Sequence, residues 1–117
     1  MNPKTFLKVV VYVPSDYVYL IREILSDIGA GATHHYEFYT FSVKGVRRSR
    51  SLAGPRALLG QTDEIELKEE ERIESFIPAE RKEALLNEIR NVHPYIHPIV
   101  DFYRVEDSTC FSHFEEE

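Results

Sequence analysis

The sequence contains one cysteine, Cys110, and no tryptophan among its 117 residues. A single cysteine excludes an internal disulfide framework and a zinc site built from four cysteines. Positive charge is also scarce, because 14 Lys+Arg against 20 Asp+Glu give a formal net charge of −6. This acidic balance disfavours general binding to nucleic acid or to anionic membranes.

Long hydrophobic runs are missing as well. No apolar run approaches the roughly 18 residues that a transmembrane helix requires, and the first residues show no signal-peptide pattern. The length suits one domain with one core, and 43% hydrophobic with 29% charged residues is a normal globular balance. We therefore expect a single domain over residues 1–117 of a cytoplasmic protein, with no membrane or nucleic-acid partner.

The first half of the chain predicts a strand followed by a helix. The valine-rich run Phe6 to Val13 is stopped by Pro14 and favours a strand. Ser15 is then a candidate helix N-cap, and apolar residues recur after it at helical spacing until Gly29 and Gly31 end the helix. The residues of this apolar face are Tyr17, Leu20, Ile21, Ile24, Leu25 and Ile28.

A second strand is predicted over about His35 to Val43, and the same order then repeats. Arg72 to Ile77 predicts a third strand stopped by Pro78, and a second helix follows until Pro94 bars its continuation. Ile99 to Val105 predicts the last strand. The apolar face of the second helix consists of Ala84, Leu85, Leu86, Ile89 and Val92.

The two halves match in register when Pro14 is placed on Pro78. The matched residues are Leu20 with Ala84, Ile21 with Leu85, Leu25 with Ile89, Ile28 with Val92, and Glu37-Phe38-Tyr39 with Asp101-Phe102-Tyr103. This internal repeat indicates two equivalent halves. The order βαββαβ predicts an α+β, ferredoxin-like fold in which a four-stranded antiparallel sheet carries two helices on one face.

The other face of the predicted sheet is apolar too, which is unusual for an antiparallel sheet covered on one side. The first strand directs Leu7, Val9, Val11 and Val13 one way and Phe6, Val10 and Tyr12 the other way. The second strand directs Tyr39, Phe41 and Val43 to one side and Tyr36 and Phe38 to the opposite side. We therefore expect another subunit to cover the second face.

Several short segments together resemble the insert domain of the NIF-three-like proteins (YqfO type), whose fold looks like that of CutA and the PII signalling proteins. The resemblance spans about residues 6 to 107. Its segments are Val11-Tyr12-Val13-Pro14, Gly29-Ala30-Gly31, Tyr36-Glu37, Arg50, Leu52, Gly54, Leu58-Leu59-Gly60, Arg72-Ile73-Glu74 and His93-Pro94-Tyr95-Ile96-His97-Pro98.

The resemblance implies a homotrimer, because CutA and PII proteins form one. In the larger family members the insert interrupts a separate two-metal domain that holds the hydrolase chemistry, and nothing in this chain resembles the metal-ligand segments of that domain. The resemblance therefore gives no reason to expect an enzyme, a metal or a cofactor. The sequence departs from the insert pattern at two places where family members carry possible metal ligands. Phe38 and Tyr39 stand where the family has a His-Cys pair, and Ile96 and His97 stand where it has an acidic pair.

Metal binding is the alternative that the histidines suggest. His93 and His97 are four residues apart, but Pro94 breaks the helix that would align them. A tight site needs three or four converging ligands, and all five histidines are better explained as surface or turn residues: His34, His35, His93, His97 and His113. Tyr95, between Pro94 and Pro98, is expected to fix the turn into the last strand.

A basic loop is the main candidate for a ligand site. It is predicted over about residues 44–60, and its positive residues are Lys44, Arg47, Arg48, Arg50 and Arg56. Such a loop suits a phosphate or carboxylate, since arginine forms paired hydrogen bonds with either, and in the PII-like arrangement it is the functional loop. Alternatively, the loop neutralises the acidic run between Asp63 and Glu74. We expect Lys44 to Arg56 to be the most mobile and least hydrogen-bonded stretch of the free protein, because the loop is long and of one charge.

Acid–base or nucleophilic chemistry has little support in the sequence. Cys110 has only His113 near it, inside an acidic tail over about residues 108–117 that we expect to be frayed. The sequence thus predicts a non-enzymatic, trimeric PII/CutA-like module, regulatory in role, that binds a small anion or a protein partner. The alternatives are a CutA-type divalent-metal-binding protein and a small enzyme with a site at the subunit interface.

Overall fold

The structure is a computed structural model that describes residues 5–33, 35–50, 52 and 64–106. Its four strands form one antiparallel sheet in the order β2-β3-β1-β4. The strands are β1 (Phe6–Pro14), β2 (Phe41–Ser49), β3 (Glu66–Pro78) and β4 (Val100–Val105), and the helices are α1 (Val18–Asp27) and α2 (Lys82–Val92). The predicted α+β fold, with four antiparallel strands and two helices, is confirmed.

Both helices begin in the same way. β1 and β3 end at Pro14 and Pro78, a 3-10 turn follows each proline, and the helices then start at Val18 and Lys82 with the same offset. The sequence repeat is therefore real through both helices. The expected capping by Ser15 is wrong, because Ser15 belongs to the 3-10 turn and its side chain makes no capping hydrogen bond.

The core lies between the two helices and one face of the sheet. Val9, Val11 and Val13 point into it from β1, and Ile73 and Ile77 point into it from β3. The internal repeat matches Ile21 of α1 to Leu85 of α2 and Leu25 to Ile89, and all four of these side chains are buried. Truncating such a side chain to alanine typically costs about 2–5 kcal/mol of unfolding free energy.

Two glycines end α1, as predicted, and Gly31 also allows a close backbone approach. Gly29 and Gly31 have φ of 84° and 74°, which glycine adopts without strain. The Gly31 N–H donates to the Phe76 carbonyl at 2.8 Å, and the Gly31 carbonyl accepts from the Tyr39 N–H at 3.3 Å. A Cβ atom added at Gly31 would overlap the backbone of Tyr39.

The second strand starts later than predicted, at Phe41 instead of about His35. Residues 35–40 form bends, in which Phe38 has φ of 63° and Thr33 Oγ1 accepts the backbone N–H of Tyr36 at 3.0 Å. The match of Glu37-Phe38-Tyr39 to the last strand is therefore wrong, because the first triplet lies in these bends. The hydrogen bond from the Tyr39 N–H to the Gly31 carbonyl holds the segment away from the sheet ladder.

The predicted loop over residues 44–60 begins as strand. Lys44 to Ser49 belong to β2, which pairs with the first residues of β3, so the third strand starts at Glu66 and not at Arg72. Opposite charges face each other where Lys44 pairs with Glu71, a favourable cross-strand combination. Most of the rest of the predicted loop lies outside the described residues.

The paired strands β2 and β3 extend beyond the rest of the sheet. β1 ends at Pro14, opposite Glu70, so residues 46–49 and 66–69 pair only with each other within the described chain. We call this two-stranded extension the arm, and the molecule is correspondingly elongated, with extents of 60 × 23 × 23 Å. None of the described helices is long and apolar enough to cross a membrane.

Candidate functional site

The structure places the predicted basic residues on both faces of β2. Successive strand residues point to opposite faces, so Lys44 and Arg48 share the helix side of the ribbon while Arg47 faces the other way. Arg50 follows the strand and is exposed, and Arg56 lies outside the described residues. Binding of an anion by these five residues stays a prediction, and the described part does not gather them into one cluster.

Arg47 has a partner of its own, the carboxylate of Glu70. Arg47 Nε donates to Glu70 Oε2 at 2.9 Å, and Arg47 Nη1 donates to Ser49 Oγ at 2.8 Å. Glu70 is only 4% exposed although it is an acid. A buried carboxylate needs a charged or hydrogen-bonding partner, and Arg47 supplies one from the neighbouring strand.

Tyr95 binds the same carboxylate oxygen from the turn before β4. Its hydroxyl donates to Glu70 Oε2 at 2.7 Å, and Arg47 Cζ lies 4.9 Å from the centre of its ring. Burial raises the pKa of Tyr95 above its ordinary value, and the hydrogen bond to Glu70 raises that pKa further. The phenol therefore stays protonated and acts as a donor.

His93 fixes the turn that carries Tyr95. Its Nε2 donates to the Tyr12 carbonyl at 2.8 Å, and its Nδ1 accepts the backbone N–H of Tyr95 at 3.2 Å. These contacts assign the proton to Nε2, because a carbonyl oxygen accepts only. His93 has an extended backbone, ψ 134°, as a residue before proline prefers. The chain then turns through exposed Pro94 and half-buried Pro98 into β4.

A cleft of about 310 Å³ opens beside Glu70 on the sheet face away from the helices. Its walls include Tyr12, Val43, Gly45, Arg47, Glu70 and Ile99. The second carboxylate oxygen, Glu70 Oε1, is buried and has no hydrogen-bond partner among the described residues. The cleft therefore combines apolar walls with the Arg47–Glu70 ion pair, while Oε1 itself is buried.

Metal ligands do not converge within the described ranges, where no group of three or more His, Cys, Asp or Glu side chains meets. Both ring nitrogens of His93 are engaged, and His35 and His97 are exposed. His34, Cys110 and His113 lie outside those ranges. The expectation that the chain binds no metal stays a prediction.

The sequence analysis missed Glu70 as a site residue. It assigned Glu70 to a solvated acidic run, because Glu69, Glu70 and Glu71 are consecutive. A signal was present: Ile65, Leu67, Ile73 and Ile77 alternate with polar residues at the spacing of a strand. Continuing that alternation through the glutamates predicts one long strand with Glu70 on its other face.

The fold is similar to that of the CutA proteins. The structure of the periplasmic divalent cation tolerance protein CutA from Archaeoglobus fulgidus superposes with a TM-score of 0.64, covering 95% of this chain and 92% of that chain. The sequences are 16% identical, so this likeness establishes the fold alone. No protein-family model matches the chain.

Sequence relatives narrow the class further. The GTP cyclohydrolase 1 type 2 homolog of Bacillus subtilis is 34% identical over 101 residues, which are 86% of this chain and 27% of that protein. The crystal structure of a Bacillus cereus protein related to NIF3 superposes with a TM-score of 0.80 at 30% identity, over 92% of this chain and 27% of that one. The chain is similar to NIF3-related proteins over most of its own length and shares the CutA-like fold, as the sequence resemblance indicated, and it spans about 27% of these relatives.

Proposed function

We propose that the chain is a non-enzymatic regulatory module that assembles into a trimer and binds a small ligand or a protein partner. Its CutA-like fold and its NIF3-like relatives support a small regulatory or ligand-binding module. The observation that carries the assembly is the presence of two apolar surfaces that no described part of the chain covers. They lie on different faces of the molecule.

The first uncovered surface is the sheet face opposite the helices. Phe41 is 57% exposed there and Tyr103 is 54% exposed. The sequence analysis assigned Phe6 and Val10 to this exposed face, but both are already buried within the chain. Val10 lies between Glu74 and Asp101 of the flanking strands. The apolar area that needs a partner is therefore centred on β2 and β4, the two edge strands.

The second uncovered surface is the helix side of the arm. Val46 and Leu67 are 47% and 63% exposed, and both point to the side that holds the core farther along β3. Ile65, just before β3, is 59% exposed. A two-stranded ribbon is only marginally stable by itself in water. Covering the apolar side of the arm would therefore stabilise it.

Two different surfaces favour a head-to-tail contact. If the arm of one subunit lies on the sheet face of the next, each subunit contacts one neighbour through its arm and the other neighbour through its sheet face. Such a contact repeats until the ring closes, and a ring of three is the assembly that the CutA-like resemblance implies. Both surfaces are then buried in every subunit.

The chemistry of the described site supports binding more than catalysis. Arg47 and Tyr95 both donate to Glu70, and both nitrogens of His93 are occupied. The exposed cation Arg50, which follows β2, is the proposed contact for an anionic ligand or an acidic partner protein, because Lys44 and Arg48 lie on the side of the arm that the assembly covers. Such binding should weaken with added salt, because exposed charges are screened.

Sedimentation equilibrium at micromolar concentration tests the assembly. We expect a species of about three times the chain mass of 13.7 kDa, and a single 13.7 kDa species would overturn the proposal. Phe41→Asp on the sheet face and Leu67→Asp on the arm should each dissociate the trimer. Leu20→Asp is the control, because Leu20 is an exposed leucine on α1, away from both surfaces.

Mixing the two variants distinguishes the head-to-tail contact from a symmetric one. A Leu67→Asp subunit keeps its sheet face and a Phe41→Asp subunit keeps its arm, so one contact can form between them and the assembly stops at a heterodimer. A symmetric face-to-face contact would instead be insensitive to Leu67→Asp. No heterodimer in the mixture would contradict the head-to-tail arrangement.

A further inference from the structure

Three charged residues on the sheet face opposite the helices carry an excess of positive charge. Lys8 Nζ lies 3.0 Å from one carboxylate oxygen of Glu74, and Arg72 Nε lies 2.9 Å from the other. The side chains of the two cations remain 48% and 42% exposed. Two positive charges on one negative charge leave a net charge of +1. We call these three residues the cation cluster.

The cation cluster lies between the two exposed aromatic residues of the sheet face. Phe41 of β2 is directly opposite Glu74 in the ladder, and Tyr103 of β4 is directly opposite Lys8. A subunit that covers both aromatic rings therefore also covers the cluster. Burying a net charge is costly unless an opposite charge meets it. The covering surface is therefore expected to supply a carboxylate.

Glu69 is the carboxylate that the helix side of the arm presents. It is exposed, it lies opposite Val46 in the ladder, and it points to the same side as Leu67. It forms no ion pair with any other described residue. Glu71 also points to this side, but it lies opposite Lys44, whose charge compensates it. Glu69 is thus the uncompensated acid beside the apolar residues of the arm.

A second pair of charges has the same relative position on both surfaces. On the sheet face, Asp101 of β4 is the diagonal neighbour of Lys8 across the β1–β4 pair. On the arm, Arg48 of β2 is the diagonal neighbour of Glu69 across the β2–β3 pair. Diagonal neighbours on antiparallel strands are about 7–8 Å apart. The two surfaces therefore carry pairs of charges at matching separation and of opposite sign.

We propose that the arm of one subunit docks on the sheet face of the next with Glu69 on the cation cluster and Arg48 on Asp101. The occupant of the sheet face is then a second copy of this chain. Apolar contacts are not directional, so the charges determine where the arm lies on that face. The inference rests on the head-to-tail assembly proposed above and adds the contacts that fix its register.

The heterodimer of the two assembly variants tests the first contact, because it contains a single arm-to-face interface. Glu69→Gln is added to the Phe41→Asp subunit, which provides the arm. Lys8→Met is added to the Leu67→Asp subunit, which provides the sheet face. Calorimetric titration of one subunit with the other measures the dissociation constant.

Each of these two changes alone should raise the dissociation constant at least about tenfold, as truncation of one partner in a covered charge pair does. Together they should raise it clearly less than the product of the two separate effects, because residues in direct contact are not additive. Two effects that simply multiply would show that Glu69 and Lys8 do not meet, and the proposal would be wrong.

Arg48→Gln on the arm subunit and Asp101→Asn on the sheet-face subunit form a second cycle that leaves the cation cluster unchanged. We expect these two effects to be non-additive as well, and additive effects overturn the placement of Arg48 on Asp101. Glu23→Gln on the arm subunit is the control, because Glu23 is an exposed glutamate on α1, away from both surfaces. It should change the dissociation constant by no more than about twofold.

The same titrations separate this inference from the assembly on which it rests. If the Phe41→Asp and Leu67→Asp subunits form no heterodimer, the head-to-tail assembly and the inference are both wrong. If the heterodimer forms and Glu69→Gln leaves its dissociation constant unchanged, the assembly stands and the inference is overturned. Weakening by Lys8→Met alone would then mean that a small anion or another group meets the cation cluster.

Discussion

His93 Nε2 donates to the carbonyl oxygen of Tyr12 at 2.8 Å and so joins the end of α2 to β1, although the two residues are 81 positions apart. The other ring nitrogen accepts the backbone N–H of Tyr95. One imidazole thus determines where the turn leaves α2 and directs Tyr95 toward Glu70. The Tyr95–Glu70–Arg47 contacts depend on this arrangement.

Replacing His93 by alanine should destabilise the fold. The change leaves the Tyr12 carbonyl and the Tyr95 N–H without these side-chain partners, and an unsatisfied buried group costs about 1–3 kcal/mol. Urea unfolding measures the loss. His97→Ala is the control, because His97 is exposed and surface changes usually stay within about 0.5 kcal/mol. Equal stability of the two variants would contradict the role of His93.

Zinc and copper should not bind tightly at neutral pH. A metal at His93 would have to displace one of its two hydrogen bonds, and no three His, Cys, Asp or Glu side chains converge anywhere in the described ranges. Calorimetry with Zn²⁺ and Cu²⁺ on tag-free protein measures the affinity. Submicromolar binding that is lost on replacement of His93, His97 or His34 would favour the CutA-type metal-binding alternative.

Tyr95→Phe should lower stability by about 1.5–3 kcal/mol, the usual contribution of a hydrogen bond to a charged group. The pKa of Tyr95 is raised by burial and by Glu70, so its contribution is fully present below the pKa of an unfolded tyrosine and is lost as the pH rises through the higher folded value. Tyrosinate absorbance should show one tyrosine titrating late in the parent chain, and Tyr95→Phe should remove that step. An unchanged titration curve would be evidence against the assignment.

Glu74 should make the protein less stable in acid. Lys8 donates to its carboxylate, with Nζ and Oε1 3.0 Å apart, and this bond together with the Arg72 contact holds the pKa of Glu74 below its ordinary value. The stabilisation is therefore present above the unfolded pKa and is lost as the pH falls through the folded pKa.

The acid effect is measured by comparing Glu74→Gln with the parent chain in urea at several pH values. The parent should be the more stable above about pH 5, and the difference should shrink toward pH 3. Glu80→Gln is the control, because Glu80 is an exposed glutamate on the turn before α2. A difference between Glu74→Gln and the parent that does not change with pH would contradict the assignment.

Gly31→Ala should be strongly destabilising, by about 1–3 kcal/mol or more, because φ is positive and the added Cβ would overlap the Tyr39 backbone. Gly45→Ala is the matched control, since its Cβ would meet no atom within 4 Å. Urea unfolding of the two variants should separate them clearly. If they unfold at the same urea concentration, the close approach of Gly31 and Tyr39 is not a constraint.

The local elements could be predicted because their signals lie within a few residues. Pro14 and Pro78 stop strands, the apolar faces of α1 and α2 repeat at helical spacing, and Gly29 and Gly31 end α1. Each of these residues acts on its own backbone conformation or on that of its immediate neighbours in the sequence. The fold class follows from their order, since few arrangements are compatible with it.

The pairing of β2 with β3 could not be predicted in the same way. Lys44 and Arg47 suggest a solvated loop when their neighbours alone are considered, but each faces or binds a glutamate more than twenty residues away. The same holds for Glu70, whose partners come from β2 and from the turn before β4. A run of like charges is therefore mistaken for a solvated loop when the residues that compensate those charges are distant in sequence.

β3 is one continuous strand of thirteen residues that belongs to the arm at one end and to the core at the other. Glu70 lies where β1 ends, which is the point at which the supported half of the strand meets the unsupported half. The arm and the core share this one strand, so a change in the angle between them would fall on the residues at the boundary, Gly45 and Glu70, which pair with each other and line the cleft.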